Sequence, residues 1–171
     1  MSALTADTTL DASARAAVTI DRPADKLRTL WLEPETQPRI WSHFADVTAS
    51  AAGAFDWVAR GPAGGEYRWQ TQTEASAGDA LRWTSLEGTD VANAGTLRFR
   101  PAPGDRGTEL HLQVRFDPPG GIVGEAASKL FHVVPREIVL TALYRFRALA
   151  LTGEIPTTDP QPAARNGGTD R

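Results

Sequence analysis

Residues 136–151 limit what this chain can fold into more than any other stretch. Pro135 disfavours helical geometry at Val134 and suits the first turn of a new helix. Gly153 suits the position just past a helix end. Between them, Glu137, Thr141 and Arg145 make one polar line. Val139, Leu143, Phe146 and Ala150 make an apolar line, thickened by Ile138, Leu140, Tyr144, Leu149 and Leu151. A helix with so wide an apolar face must lie against something broad. The breakers Asp117-Pro118-Pro119-Gly120-Gly121 stand upstream, and residues 122–131 read as a separate helical segment before it.

The partner surface is legible in residues 46–116, where the apolar period changes to two. Residues 54–60 place Phe55, Trp57 and Ala59 on one face. Residues 66–74 do the same with Tyr67, Trp69, Thr71 and Thr73, and residues 80–86 with Leu81, Trp83 and Ser85. Residues 95–100 give Leu97 and Phe99, and residues 108–116 give Leu110, Leu112, Val114 and Phe116. The opposite positions carry Arg60, Arg68, Arg82, Arg98, Arg100, His111 and Arg115. That is the pattern of antiparallel strands with one buried and one wet face. Residues 46–49 form a weaker strand and residues 14–20 an N-terminal one. Between these two, residues 24–32 and 35–41 read as short helices.

The order is one strand, two short helices, six strands and a long helix. A twisted sheet can wrap around that helix. The expected class is α+β: a seven-stranded antiparallel sheet gripping the C-terminal helix. The 171 residues then divide into a flexible stretch 1–13, one domain 14–153 and a disordered Pro/Thr/Gly-rich tail 154–171.

Particular stretches carry a resemblance. They are Val18-Thr19-Ile20-Asp21-Arg22-Pro23-Ala24, Pro38-Arg39-Ile40-Trp41-Ser42-His43-Phe44, Gly88-Thr89-Asp90-Val91-Ala92-Asn93-Ala94-Gly95, Arg115-Phe116-Asp117-Pro118-Pro119-Gly120-Gly121 and Thr152-Gly153-Glu154-Ile155-Pro156. With the element order, they resemble the START-like (SRPBCC) superfamily of helix-grip proteins. The resemblance is to the bacterial polyketide cyclase/dehydrase and coenzyme Q-binding-like subfamily, and it covers roughly residues 14–156. It implies a hydrophobic pocket between sheet and helix, without a defined reaction.

The residues themselves lead to a similar site. Three inward tryptophans on successive strands favour an apolar pocket over mere packing. Its expected lining is Trp57, Tyr67, Trp69, Trp83, Phe99, Leu112 and Phe116 from the sheet, with Val139, Leu143 and Phe146 from the helix. Small inward residues such as Ala59, Thr71 and Ser85 leave room beside the rings. The loops 61–65, 87–94 and 117–121 share one end of the sheet, where the mouth is expected.

No inward strand position carries Asp, Glu, Lys or Arg, which argues against acid–base catalysis on the sheet. The weak catalytic candidates are His43 and Tyr144, and the plainer reading of His43 is a hydrogen-bonded histidine at a helix end. Three scattered histidines and no cysteine give no metal-ligand spacing, and no cofactor is expected. Gly61-Pro62-Ala63-Gly64-Gly65 precedes a strand and lacks the Lys-Ser/Thr of a phosphate loop. A net charge of −3 makes no case for nucleic acid. No signal peptide or membrane span is read, so a cytoplasmic protein with at most transient membrane contact is expected. The expected function is binding or carrying a lipid, quinone or aromatic polyketide-like molecule. A polyketide cyclase/dehydratase-type enzyme is the alternative. A ribosome- or protein-binding module using the outward arginines is a third reading, since some START-like proteins act in that way.

Overall fold

The computed structural model describes residues 13–60, 64–74, 78–88, 91–117 and 136–156. Seven strands form one antiparallel sheet: β1 (Ser13–Ile20), β2 (Asp46–Ala51), β3 (Ala54–Arg60), β4 (Glu66–Glu74), β5 (Ala80–Ser85), β6 (Ala92–Pro101) and β7 (Thr108–Asp117). The spatial order is β1-β7-β6-β5-β4-β3-β2. Hence β2 to β7 form a meander, and β1 adds beyond β7 at the far edge. Helices α1 (Ala24–Leu32) and α2 (Thr36–Ile40) make the crossing from β1 to β2. Helix α3 (Arg136–Thr152) packs mainly along β1 and against α2.

The period-two pattern fixed the pairing as it should. Trp57 stands opposite Trp69, Leu97 opposite Leu112 and Phe99 opposite Leu110, all on the helix-facing side. Arg98 stands opposite His111 on the other side. Arg60, Arg68, Arg82, Arg98, Arg100 and Arg115 are all exposed. On α3, Val139, Ala142, Leu143, Phe146 and Leu149 are buried, one stripe at helical spacing. Gly153 adopts φ +77°, and its N–H donates to the Leu149 carbonyl at 2.8 Å, which caps α3 as the sequence suggests.

Several boundaries and one facing differ from expectation, among them the end of β2, which runs on to Ala51. β5 ends at Ser85, and Leu86 is 44% exposed. β6 begins at Ala92 instead of residue 95. Asn93 occupies an inward position there, and a polar residue in a buried slot breaks the apolar alternation that marks a strand. α2 is shorter than expected, five residues from Thr36 to Ile40. Tyr144, placed in the apolar stripe of α3, is 54% exposed. Residues 1–12, 61–63, 122–131, His132, Pro135 and 157–171, on which several expectations rested, lie outside the described residues.

Candidate functional site

The expected lining residues come together. Trp57, Trp69, Trp83, Phe99, Leu112, Phe116, Val139, Leu143 and Phe146 are buried in a single core cluster, and Tyr67 packs against it partly buried. Several of their rings pack against one another. The Trp57 and Trp69 planes stack at 5.6 Å and 11°, as their direct cross-strand pairing allows. Phe116 meets Trp69 edge-on at 6.4 Å. Three rings outside the expected lining complete the set. Trp41 of the α2–β2 turn lies 5.8 Å from Trp57. Half-buried Phe44 lies 6.4 Å from Trp69 and 5.7 Å from Phe116. Trp31 of α1 lies 5.0 Å from Phe146 and 6.4 Å from Trp83. The space expected beside Thr71 and Ser85 is occupied by hydrogen bonds instead. The Trp57 indole N–H donates to the Thr71 hydroxyl at 2.9 Å. Ser85 accepts from the Asn93 backbone N–H at 2.9 Å.

Polar bookkeeping separates the indoles. Trp41 donates to the Gln37 side chain at 3.0 Å, and Trp83 donates to the Asn93 side-chain oxygen Oδ1 at 3.2 Å. Asn93 in turn donates its amide N–H to the Arg115 carbonyl at 3.0 Å. The Trp69 N–H is different: it is buried and has no acceptor among the described residues, on a residue only 2% exposed. Buried donors are nearly always paired, and leaving one bare costs about 1–3 kcal/mol. Asn93 was missed by the sequence reading, although a lone Asn two residues before an apolar strand is the available signal. Phe44 and Trp41 sat in a quoted motif, yet no periodicity assigns them a direction.

Antiparallel order places Trp57, Trp69, Phe116 and Phe44 near one end of the grip, where β2 begins, β3 ends and α3 starts. This is the end that carries the loops 61–65 and 87–94. His43 is there too. Its Nε2 lies 3.0 Å from the Ile138 carbonyl. A carbonyl only accepts, so the proton sits on Nε2. The ring stacks on Trp41 at 12°. The residue as a whole is exposed, while its bonded ring edge lies against α3 and its face against Trp41. Burial pushes the His43 pKa down, against the pull of the Ile138 bond, and the Arg145 charge pushes it the same way. Arg145 donates to the Ser42 hydroxyl at 2.6 Å and to the Arg39 carbonyl at 3.3 Å, tying α3 to α2. His43 is therefore a backbone-bonded ring whose neutral form is favoured, and Tyr144 lies on the solvent side of α3 away from the core. Among the described residues, the buried polar side chains are Thr36, Gln37, Thr71, Asn93 and Thr108, none of them ionisable.

No family model matches this sequence, and no curated protein does. Solved structures do. The protein DR_A0006 from Deinococcus radiodurans is 29% identical, with a TM-score of 0.64 over 83% of this chain and 98% of its own. TTHA0849 from Thermus thermophilus is 22% identical, with a TM-score of 0.62 over 82% of this chain and 98% of its own. The di-domain ARO/CYC StfQ of the steffimycin biosynthetic pathway is 16% identical, with a TM-score of 0.56 over 82% of this chain and 50% of its own. The chain thus shares the fold of these proteins. Among the described residues, no helix is long and apolar enough to cross a membrane.

Proposed function

We propose that this protein binds and carries a hydrophobic small molecule at the aromatic end of its grip. The class that fits is a flat apolar body with a carbonyl-type acceptor, such as a quinone or an aromatic polyketide-like compound, ahead of a plain lipid. One observation carries this: the bare Trp69 N–H inside a box of aromatic faces. Such a box accepts a ring by stacking, and a single unpaired donor supplies the polar fixing point that apolar sites use for orientation. Phe44, half-buried on a turn and resting on both Trp69 and Phe116, is the ring that moves aside to admit it. The shared fold with an ARO/CYC protein supports testing polyketide-like ligands. The preference for a carrier over an enzyme rests on the lack of ionisable groups among the described core residues and on His43 being spent on a backbone carbonyl.

Calorimetric titration with a naphthoquinone and with naphthalene tests the reading. Both should bind saturably to the wild type. Trp69→Phe keeps an aromatic face but removes the donor, so it should weaken the quinone about tenfold and the hydrocarbon much less. Equal weakening of both, or no saturable binding of either, would refute the proposal.

A further inference from the structure

Independently of that reading, we infer that the outer face of the sheet carries a binding trough for a small phosphate-bearing anion. The depression has a volume of about 400 Å³ and lies on the solvent side of β1, β7 and β6. Arg15 of β1 stands on one side of it. Arg98 and Arg100 of β6 stand on the other, and Arg136, the first residue of α3, is also in the lining. Neighbouring strands are about 4.8 Å apart, so the two walls stand roughly 10 Å apart across β7. The floor is His111 and Gln113. It stays open because their cross-strand neighbours Ala17 and Thr96 are short.

The charge is local and only partly compensated. The chain as a whole is at −3, yet four guanidinium groups line one trough. Among the described residues no carboxylate pairs with any of the four. Glu109 stands directly across from Arg100 and beside His111, so it offsets part of this charge. Elsewhere on the same face the sequence does neutralise arginine, as Glu66 does for Arg68 at 2.8 Å. Guanidinium forks match the oxygens of a phosphate two at a time, and several converging forks favour a compact multivalent anion over a single carboxylate. A trough of this volume is the size of an ordinary small-molecule site. The phosphate can belong to a free solute or to a lipid headgroup.

Two probes separate these sources on the full-length protein: inorganic pyrophosphate by calorimetry, and phosphatidylglycerol-containing vesicles by co-sedimentation. Arg15→Gln and Arg98→Gln should each weaken the bound probe about tenfold, the loss expected for one charge-assisted contact. Arg82→Gln removes the same charge from the same face outside the trough. It should change affinity by no more than about twofold, as screening of distant exposed charges requires. Pyrophosphate binding with this pattern supports a free phosphate ligand. Vesicle binding with this pattern and no response to pyrophosphate supports a headgroup. An Arg82→Gln loss as large as that of Arg98→Gln means a diffuse charge effect and overturns the site, as does the failure of both probes to bind.

Discussion

The two ends of the grip are built from the same strands and differ in what fills them. At the end where β1 finishes and β7 begins, the filling is mainly aliphatic, with Phe55 and Phe99 beside it. Ile20, Leu81, Leu97 and Leu110 are at most 1% exposed. Gly107, at φ +94°, lets the β6–β7 turn close onto β1, where an added Cβ would stand 2.2 Å from the Ile20 carbonyl oxygen. Thr108 donates its hydroxyl to the Arg22 carbonyl at 2.8 Å and completes the seam. The opposite end is filled by Trp41, Phe44, Trp57, Trp69 and Phe116, and it contains a donor with no acceptor among the described residues. Aliphatic side chains interdigitate and leave no polar debt. Flat rings exchange one stacking partner for another at little cost. The contrast assigns stability to one end and exchange to the other.

The first way to break that contrast is Leu110→Ala. Leu110 is fully buried between Val18 and Phe99 across the strands. Its truncation should cost about 2–5 kcal/mol in chemical denaturation. Phe44→Leu at the other end should cost far less and should raise the rate of quinone uptake. A Phe44→Leu cost equal to that of Leu110→Ala would make both ends structural.

Between the ends lies Trp83, whose indole crosses Gly95 on the neighbouring strand. A Cβ at residue 95 would stand 1.9 Å from the Trp83 ring. The ring is held by its bond to Asn93 and cannot swing away freely. Gly95→Ala should therefore destabilise the fold by about 1–3 kcal/mol, the usual range for overpacking. A neutral result in a denaturation curve would show that the indole shifts cheaply.

The stacked pair offers a finer test. Trp57→Phe removes a ring edge and also the hydrogen bond to Thr71, leaving that buried hydroxyl without its donor. Trp69→Phe removes a ring edge and relieves a bare N–H. Trp57→Phe should be the costlier change by about 1–2 kcal/mol. The reverse order would mean that the Trp69 donor is satisfied in solution.

These contrasts also explain what could be read from the chain alone. The sheet was legible because alternation in β3, β4 and β7 is nearly unbroken, and a period of two has one structural meaning. α3 was legible from its breaker, its stripe and Gly153. The start of β6 was hidden because Asn93 obeys a local hydrogen-bond need instead of the apolar period. Tyr144 was misplaced because an amphipathic residue at the border of a wide stripe suits either side. Of the site, the strand-borne rings were visible. Trp41 and Phe44 were not assigned to it, since a turn between a short helix and a strand has no period to fix its direction. The Trp69 donor is a property of three-dimensional packing and leaves no sequence trace. The arginine trough was visible only as scattered outward arginines, because it depends on β1 adding next to β7, far away in sequence.

The smallest expected effect concerns the latch that closes the aromatic end. His43 donates to the Ile138 carbonyl, and its pKa is lowered in the folded protein by burial, with Arg145 acting in the same direction. An unfolded histidine titrates near about 6.5. Above that value the ring is neutral in both states and pH has no leverage through it. As pH falls below it, the unfolded chain takes up the proton first, so the folded state loses relative stability until its own lower pKa is reached. Acidification should therefore weaken the wild type beyond its general acid sensitivity. His43→Gln keeps a side-chain N–H for Ile138 but does not titrate. Denaturation midpoints of the two proteins should run parallel at neutral and higher pH and converge or cross as pH is lowered through the histidine range. The same variant tests the catalytic alternative: turnover of a poly-β-ketone by wild type, lost in His43→Gln or Tyr144→Phe with binding intact, would replace the carrier by an enzyme. Parallel midpoints over the whole range would show that His43 is as solvated as an unfolded one, and the aromatic end would then be closed by Arg145 and Ser42 without it.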